Sequence, residues 1–116
     1  MQISYTPRYP CYWVVHSTAM AHGYPDGAGW RRWDHIIGIT PADADGVTAG
    51  FQCPHEIYDN SSVEWRTVSG SCMFRLAAGT AYTASLQHLY LSAGTVQLYI
   101  GQIWCRIVGR IVGEGT

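Results

Sequence analysis

Hydrophobic and polar positions alternate most clearly along residues 95–112, the longest apolar stretch of the chain. From position 103 onward the odd positions are apolar or small: Ile103, Cys105, Ile107, Gly109 and Ile111. The even positions place polar or bulky groups on the other side: Gln102, Trp104, Arg106, Val108, Arg110 and Val112. A period of two in a stretch rich in β-branched residues predicts a strand with one buried face. The apolar parity changes across Gly101 and Gln102, which indicates either a β-bulge or a tight hairpin turn.

Similar alternation predicts further strands upstream. They cover residues 11–20 and 35–40, a segment ending at Phe51 or Cys53, and residues 63–76 and 81–91. In the first of them Cys11, Trp13 and Val15 share one predicted inner face. The strand over 63–76 has a predicted inner face of Val68, Gly70, Cys72, Phe74 and Leu76. Its predicted outer face consists of Ser69, Ser71, Met73 and Arg75.

The segments between these strands have the composition of turns and loops. Residues 21–29 and 53–62 are rich in turn-forming residues, and Ala-Gly-Thr corners recur at 78–80 and 93–95. No long stretch has helical periodicity. About seven or eight strands with regularly spaced turns predict an all-β, antiparallel β-sandwich of jelly-roll-like topology. We expect residues 1–12 to form an extended N-terminal arm, either frayed or laid across a neighbour, and residues 13–116 to form one sandwich domain.

The charge of the chain limits the classes of partner. Only 13% of the residues are charged, lysine is absent and the formal net charge is -1. This argues against nucleic-acid binding, which needs clustered basic side chains, and it favours an oligomer or a member of a larger assembly. Polar residues interrupt the best apolar stretch, so no membrane span is expected. Residues 1–10 do not have the pattern of a signal peptide, so we expect synthesis in a cytoplasm, with free cysteine thiols.

Candidate metal and catalytic groups lack the spacing that such sites need. Cys53, His55 and Glu56 form the densest group of possible ligands, without a paired motif such as a repeated CxxC, HxH or HExxH. The Asp-Ala-Asp-Gly sequence at 43–46 lacks the further oxygen ligands of a calcium loop and is interpreted as a turn. No GxSxG elbow frames a serine nucleophile. We therefore expect a non-enzymatic protein without a cofactor, and a metal-dependent β-barrel enzyme is the alternative that elemental analysis would test.

Aromatic residues are more numerous than one small core comfortably holds. Five tryptophans and eight tyrosines in 116 residues imply that several lie at the surface or at an interface. Tryptophan and arginine, which are enriched at interaction hot spots, lie side by side at positions 30–33, although Trp30 and Trp33 could instead cap the ends of the sandwich. The predicted partner-binding residues are Tyr5, Tyr9, Tyr12, Trp30, Arg31, Arg32, Trp33, Trp104, Arg106 and Arg110.

The late stretch LAAGTAYTASLQHLYLSAGTVQLYIGQIWCRIV, with its two Ala-Gly-Thr corners, resembles the compact jelly-roll modules of bacteriophage virions. Those modules decorate capsids or form fibre tips, and their fold is similar to the tumour-necrosis-factor and complement-C1q-like trimers. The resemblance implies a homotrimer that is assembled in the host cytoplasm and is bound to other virion proteins. We expect a capsid decoration or cement protein that stabilises an assembled shell. The alternative is a carbohydrate- or receptor-binding module of a phage fibre or other appendage, in which Trp30 and Trp33 stack on sugars.

Overall fold

A computed structural model of the chain describes residues 1–25, 31–57, 64–92 and 98–113. The prediction of an all-β fold is confirmed, since these residues contain seven strands and no helix. The strands are β1 (Gln2–Tyr5), β2 (Cys11–Pro25), β3 (Arg31–Thr40), β4 (Ala49–Ile57), β5 (Glu64–Leu76), β6 (Tyr82–Ser92) and β7 (Leu98–Val112). The described ranges accordingly include no helix that could cross a membrane.

The strands form two antiparallel sheets, which pack as a β-sandwich. One sheet has four strands in the order β1-β6-β3-β4, and the other has three in the order β5-β2-β7. Among the first six strands the pairs are nested, because β3 pairs with β4, β2 with β5 and β1 with β6. The chain is therefore wound in the nested manner of a jelly roll. β7 completes the smaller sheet by pairing with the other side of β2.

The core lies between the two sheets and uses the predicted inner faces. In β2 the side chains of Cys11, Trp13 and Val15 are buried, as the alternation predicted. The other buried apolar residues of this core are Ile37, Ile39, Phe74, Leu76, Tyr82, Ala84 and Ile107. Because successive side chains of a strand point to opposite faces, burial of these positions directs their neighbours outward.

Two of the predicted loops belong in part to strands. β4 continues through residues 53–57, and β2 continues through residues 21–25, so the loop predictions for these segments were wrong. Pro54 is tolerated because β4 is an edge strand, where a missing backbone N–H removes no inner ladder hydrogen bond. β3 likewise begins at Arg31, before the predicted start at His35. Residues 26–29, 58–62 and 93–95, also predicted as loops or turns, lie outside the described residues.

The predicted change of parity near Gly101 is a β-bulge. Met20 of β2 pairs with Trp104, whereas the next residue, Ala21, pairs with Gln102. Ile103 is therefore the additional residue on β7. The alternative of a hairpin turn was wrong, because β7 runs without interruption past this point.

The N-terminal segment pairs with its own chain. Residues 2–5 of the expected arm form β1, the edge strand that pairs with β6. The hydroxyl oxygens of Ser4 and Thr83 are 2.9 Å apart, and the backbone N–H of Gly79 donates to the carbonyl of Pro7 over 2.8 Å. These contacts hold the start of the chain against the four-stranded sheet.

Residues 43–47 form the turn that the Asp-Ala-Asp-Gly sequence predicts. Oδ1 of Asp43 accepts hydrogen bonds from the backbone N–H groups of Asp45 and Val47, both at 2.9 Å. Oδ2 accepts a third, from the backbone N–H of Arg75 at 3.0 Å. Gly46 has a φ of 82°, a left-handed conformation that glycine adopts without steric cost. The Asp43 carboxylate thus ties this turn to the end of β5.

Candidate docking surface

The solvent-facing side of the three-stranded sheet carries the arginines predicted from the alternation of β7. In the first part of β2, the residues at positions 12, 14, 16 and 18 point to this side. Each of them lies between its paired residue on β5 and its paired residue on β7. The register defines four rows: Arg75, Tyr12 and Val112; Met73, Val14 and Arg110; Ser71, His16 and Val108; Ser69, Thr18 and Arg106. We call these residues the outer face.

Apolar side chains on the outer face are widely exposed. Met73 is 58% exposed, Tyr12 is 41% exposed, and Val108 and Val112 are each 39% exposed. They occupy neighbouring rows, so their side chains form one patch across the three strands. An exposed apolar patch with polar residues at its rim is typical of a surface that binds another macromolecule.

Two positive charges on the outer face have no counterion among the described residues. Arg106 and Arg110 are exposed, and no described residue forms an ion pair with either. Arg75 differs, because its Nη2 and Nε donate to Oδ1 of Asp45 at 2.6 and 3.0 Å. Hydrogen bonding to Asp45 and the negative charge of Asp45 raise the pKa of Arg75. The uncompensated positive charge of the outer face is therefore concentrated on β7.

A histidine and two hydroxyl groups form a hydrogen-bonded cluster beside Arg106. Nε2 of His16 lies 3.1 Å from Oγ1 of Thr18 and 3.2 Å from Oγ of Ser69. The two hydroxyl oxygens are 2.9 Å apart. Each hydroxyl can donate or accept, so the cluster can reorient its protons toward an incoming polar group.

The centre of the outer face contains a shallow concavity of about 330 Å³. Its lining residues are Val14, His16, Ser71, Val108, Gly109 and Arg110. A guanidinium, an imidazole and a hydroxyl thus border the same depression as two valines. This combination suits a partner group that has a polar end and an apolar stem. A second concavity of about 370 Å³ adjoins the outer face beside Tyr12 and Arg75.

The residues predicted from the N-terminal segment occupy different environments. Tyr5 packs against the core, with its ring centroid 6.0 Å from that of Trp13. Tyr9 is exposed and lies under the guanidinium of Arg8, whose Cζ is 5.6 Å from the ring centroid. Tyr12 lies on the outer face with the arginines of β7. Of the three tyrosines, only Tyr12 belongs to this surface.

Three residues of the predicted Trp30–Trp33 segment lie in the four-stranded sheet. Trp30 lies outside the described residues, whereas Arg31, Arg32 and Trp33 form the start of β3 in the four-stranded sheet. The structure therefore does not bring them onto the three-stranded sheet with Arg106 and Arg110. Trp104 is in β7, opposite Met20. The expectation that Trp30 and Trp33 bind a partner or a sugar stays a prediction.

Two side chains of β2 that are able to bind a metal lie on opposite faces of the strand. In β2, Cys11 points into the core while His16 points to solvent, so the two cannot share a site. The described residues contain no group of three or more side chains placed to hold a metal ion. None of the four cysteines, all of which lie in described residues, forms a disulfide bond; Cys11 is buried and the other three are partly buried. Burial raises the pKa of the Cys72 thiol to about 11, which lowers its reactivity at neutral pH.

Several polar side chains on the opposite side of the sandwich are hydrogen-bonded to one another. On the four-stranded sheet, Nε2 of Gln87 donates to Oγ of Ser85 at 2.8 Å, and the hydroxyl groups of Ser4 and Thr83 are paired. Nε2 of Gln52 donates to the buried carboxylate of Asp34. These contacts satisfy polar groups within the chain, in contrast with the uncompensated arginines on the other sheet.

Sequence reasoning missed the participation of His16, Thr18 and Met73 in this surface. The parity of β5 placed Ser69, Ser71 and Met73 on an outer face but did not show which strand lies beside them. Only the pairing of β2 with both β5 and β7 brings these residues beside Arg106 and Arg110. A signal was present in the alternation of residues 12, 14, 16 and 18, although alternation alone does not identify a neighbouring strand.

Comparisons with known proteins give no relative for this chain: no protein-family model, curated protein or solved structure matches it. The resemblance to virion modules therefore stays a prediction.

Proposed function

We propose that this protein is a non-enzymatic structural subunit that attaches to a larger assembly through the outer face of its three-stranded sheet. The observation that carries this proposal is the exposed patch of Tyr12, Met73, Val108 and Val112 beside two arginines that have no counterion in the described part of the chain. Covering such a patch contributes roughly 25 cal/mol per Å² of apolar surface removed from water. The low charge of the chain is in keeping with a protein that works in an assembly.

A capsid decoration or cement protein is the form of this proposal that the sequence resemblance favours. A subunit that binds the assembled shell but not its separate components shifts the equilibrium toward the shell. A sandwich with an exposed apolar patch on one sheet suits this task. The three-stranded sheet can contact the shell while the four-stranded sheet stays exposed to solvent. The self-contained hydrogen bonds of the four-stranded sheet support that orientation.

The test is sedimentation of the protein from the cells that produce it. We expect the unmodified chain to travel with particles far heavier than its own oligomer. The double variant Met73→Glu with Val108→Glu should remain at the top of the gradient, because it buries two carboxylates in the contact and leaves the core intact. A photo-crosslinking residue at position 108 should then identify the main component of the particles.

The matched control is Gln2→Glu, which adds a negative charge to an exposed position on the four-stranded sheet. It should sediment like the unmodified protein. Sedimentation of the unmodified chain as a free protein under all conditions would contradict the proposal. So would equal association of the Met73→Glu, Val108→Glu variant, provided that circular dichroism shows it to be folded.

A further inference from the structure

We infer that the partner of the outer face is an acidic polypeptide, which presents two carboxylates to Arg106 and Arg110 and an apolar side chain between them. This inference rests on the proposed function and specifies the chemistry of the contact. Its basis is that the outer face combines an apolar patch, two exposed cations and a concavity bordered by polar groups.

The spacing of the arginines defines the spacing of the carboxylates. Arg106 and Arg110 are four residues apart on one strand face, which corresponds to about 13 Å at the rise of a β-strand. Val108 lies midway between them and is exposed. A partner strand with acidic residues at positions i and i+4 and an apolar residue at i+2 matches this pattern, because alternate residues share one face.

The concavity gives one of the two carboxylates a more specific site. Arg110, His16 and Ser71 border it together, so a carboxylate there can receive hydrogen bonds from the guanidinium and the hydroxyl. At the other end, the hydroxyl groups of Thr18 and Ser69 lie in the same row as Arg106. Each carboxylate thus meets one arginine and at least one further polar group.

A second copy of the chain does not fit this surface in a face-to-face pairing. A two-fold axis through the outer face would bring the arginines of both copies into one interface, where like charges repel. Three of the carboxylates in the described residues do not compensate for this repulsion. Asp34 and Asp43 are buried, and Asp45 already pairs with Arg75. Charge complementarity therefore favours a different, acidic chain over self-association through this face.

The experiment uses the purified full-length chain and a synthetic probe peptide. The peptide alternates threonine and valine and carries two glutamates four residues apart, with a valine midway. We expect calorimetric titration at low salt to show binding that weakens as salt increases. The Arg106→Gln, Arg110→Gln variant should bind the peptide about tenfold more weakly or worse. The control Arg8→Gln, which removes an exposed charge elsewhere, should bind like the unmodified protein.

Three results would overturn the inference. They are the absence of peptide binding at millimolar concentration, equal binding of a peptide with glutamine in place of both glutamates, and displacement of the peptide by a lower concentration of a single-stranded oligonucleotide. The last would make a phosphate backbone the occupant. The inference can also fail separately from the proposed function. The double variant Arg106→Gln with Arg110→Gln could leave sedimentation with particles unchanged while Met73→Glu with Val108→Glu abolishes it. That result would support the docking surface and contradict the acidic partner.

Discussion

Gly109 shows how one residue of β7 serves both the core and the surface. A Cβ atom at this position would overlap Nε1 of Trp13 and would lie 2.8 Å from its Cε2 and 2.9 Å from Cδ1 of Ile3. The absence of a side chain therefore leaves room for the buried indole. On the other side of the strand, the same residue lines the concavity of the outer face.

We expect Gly109→Ala to destabilise the fold by about 1–3 kcal/mol, since the indole must move in a packed core. Urea denaturation followed by tryptophan fluorescence measures the change. Val108→Ala is the neighbouring control, because its side chain faces solvent, and it should stay within about 0.5 kcal/mol of the unmodified protein. Equal stability of Gly109→Ala and the unmodified chain would show that the indole does not depend on this space.

At the scale of elements, Asp43 connects a turn to a strand that is distant in sequence. Its two carboxylate oxygens accept three backbone N–H groups, one of them from Arg75 at the end of β5. Ala44 N–H also donates to the carbonyl of Arg75 at 2.7 Å. The turn and this end of β5 therefore form one hydrogen-bonded unit.

Asp43→Ala should lower the free energy of unfolding by about 2–4 kcal/mol, because it leaves several buried or half-buried N–H groups without an acceptor. Chemical denaturation of the purified variant measures this. Asp45→Ala, two residues away, removes only an exposed ion pair with Arg75, so its effect should be much smaller. The proposed role of Asp43 fails if the two variants are equally destabilised.

In the whole molecule, the two sheets differ in how far their outward-facing side chains find partners within the chain. In the four-stranded sheet, the outward side chains of Ser4, Thr83, Ser85 and Gln87 pair within the chain, whereas the three-stranded sheet exposes apolar groups and two cations that no described residue neutralises. The outer face is therefore the surface through which we propose that the protein attaches to an assembly.

The expected homotrimer can be tested by measuring the mass of the protein in solution. Light scattering coupled to size exclusion should give three times the mass of one chain. Because like charges disfavour self-association through the outer face, Met73→Glu with Val108→Glu should keep that mass. A monomer at high micromolar concentration would contradict the trimer, and dissociation of the double variant would assign the outer face to the oligomer instead.

The alternation of residue types along the chain was enough to predict the class of fold and which side chains point inward. Alternation is a local property of a strand, so the inner positions of β2, β5 and β7 and the exposed positions of Arg106 and Arg110 followed from it. The bulge near Gly101 was also visible, because an additional residue reverses the parity. Local composition failed where pairing overrides it, as at residues 53–57, whose proline and polar side chains are compatible with an edge strand.

Which strands are neighbours is known only from the tertiary structure, and this arrangement determines which residues share the outer face. His16, Ser71 and Arg110 come from three strands far apart in sequence and border one concavity because β2 lies between β5 and β7. Strand order depends on which apolar faces can cover one another in the core, a property of the whole chain that no single segment carries. The sequence therefore predicted the arginines of the surface, and the fold supplied the residues beside them.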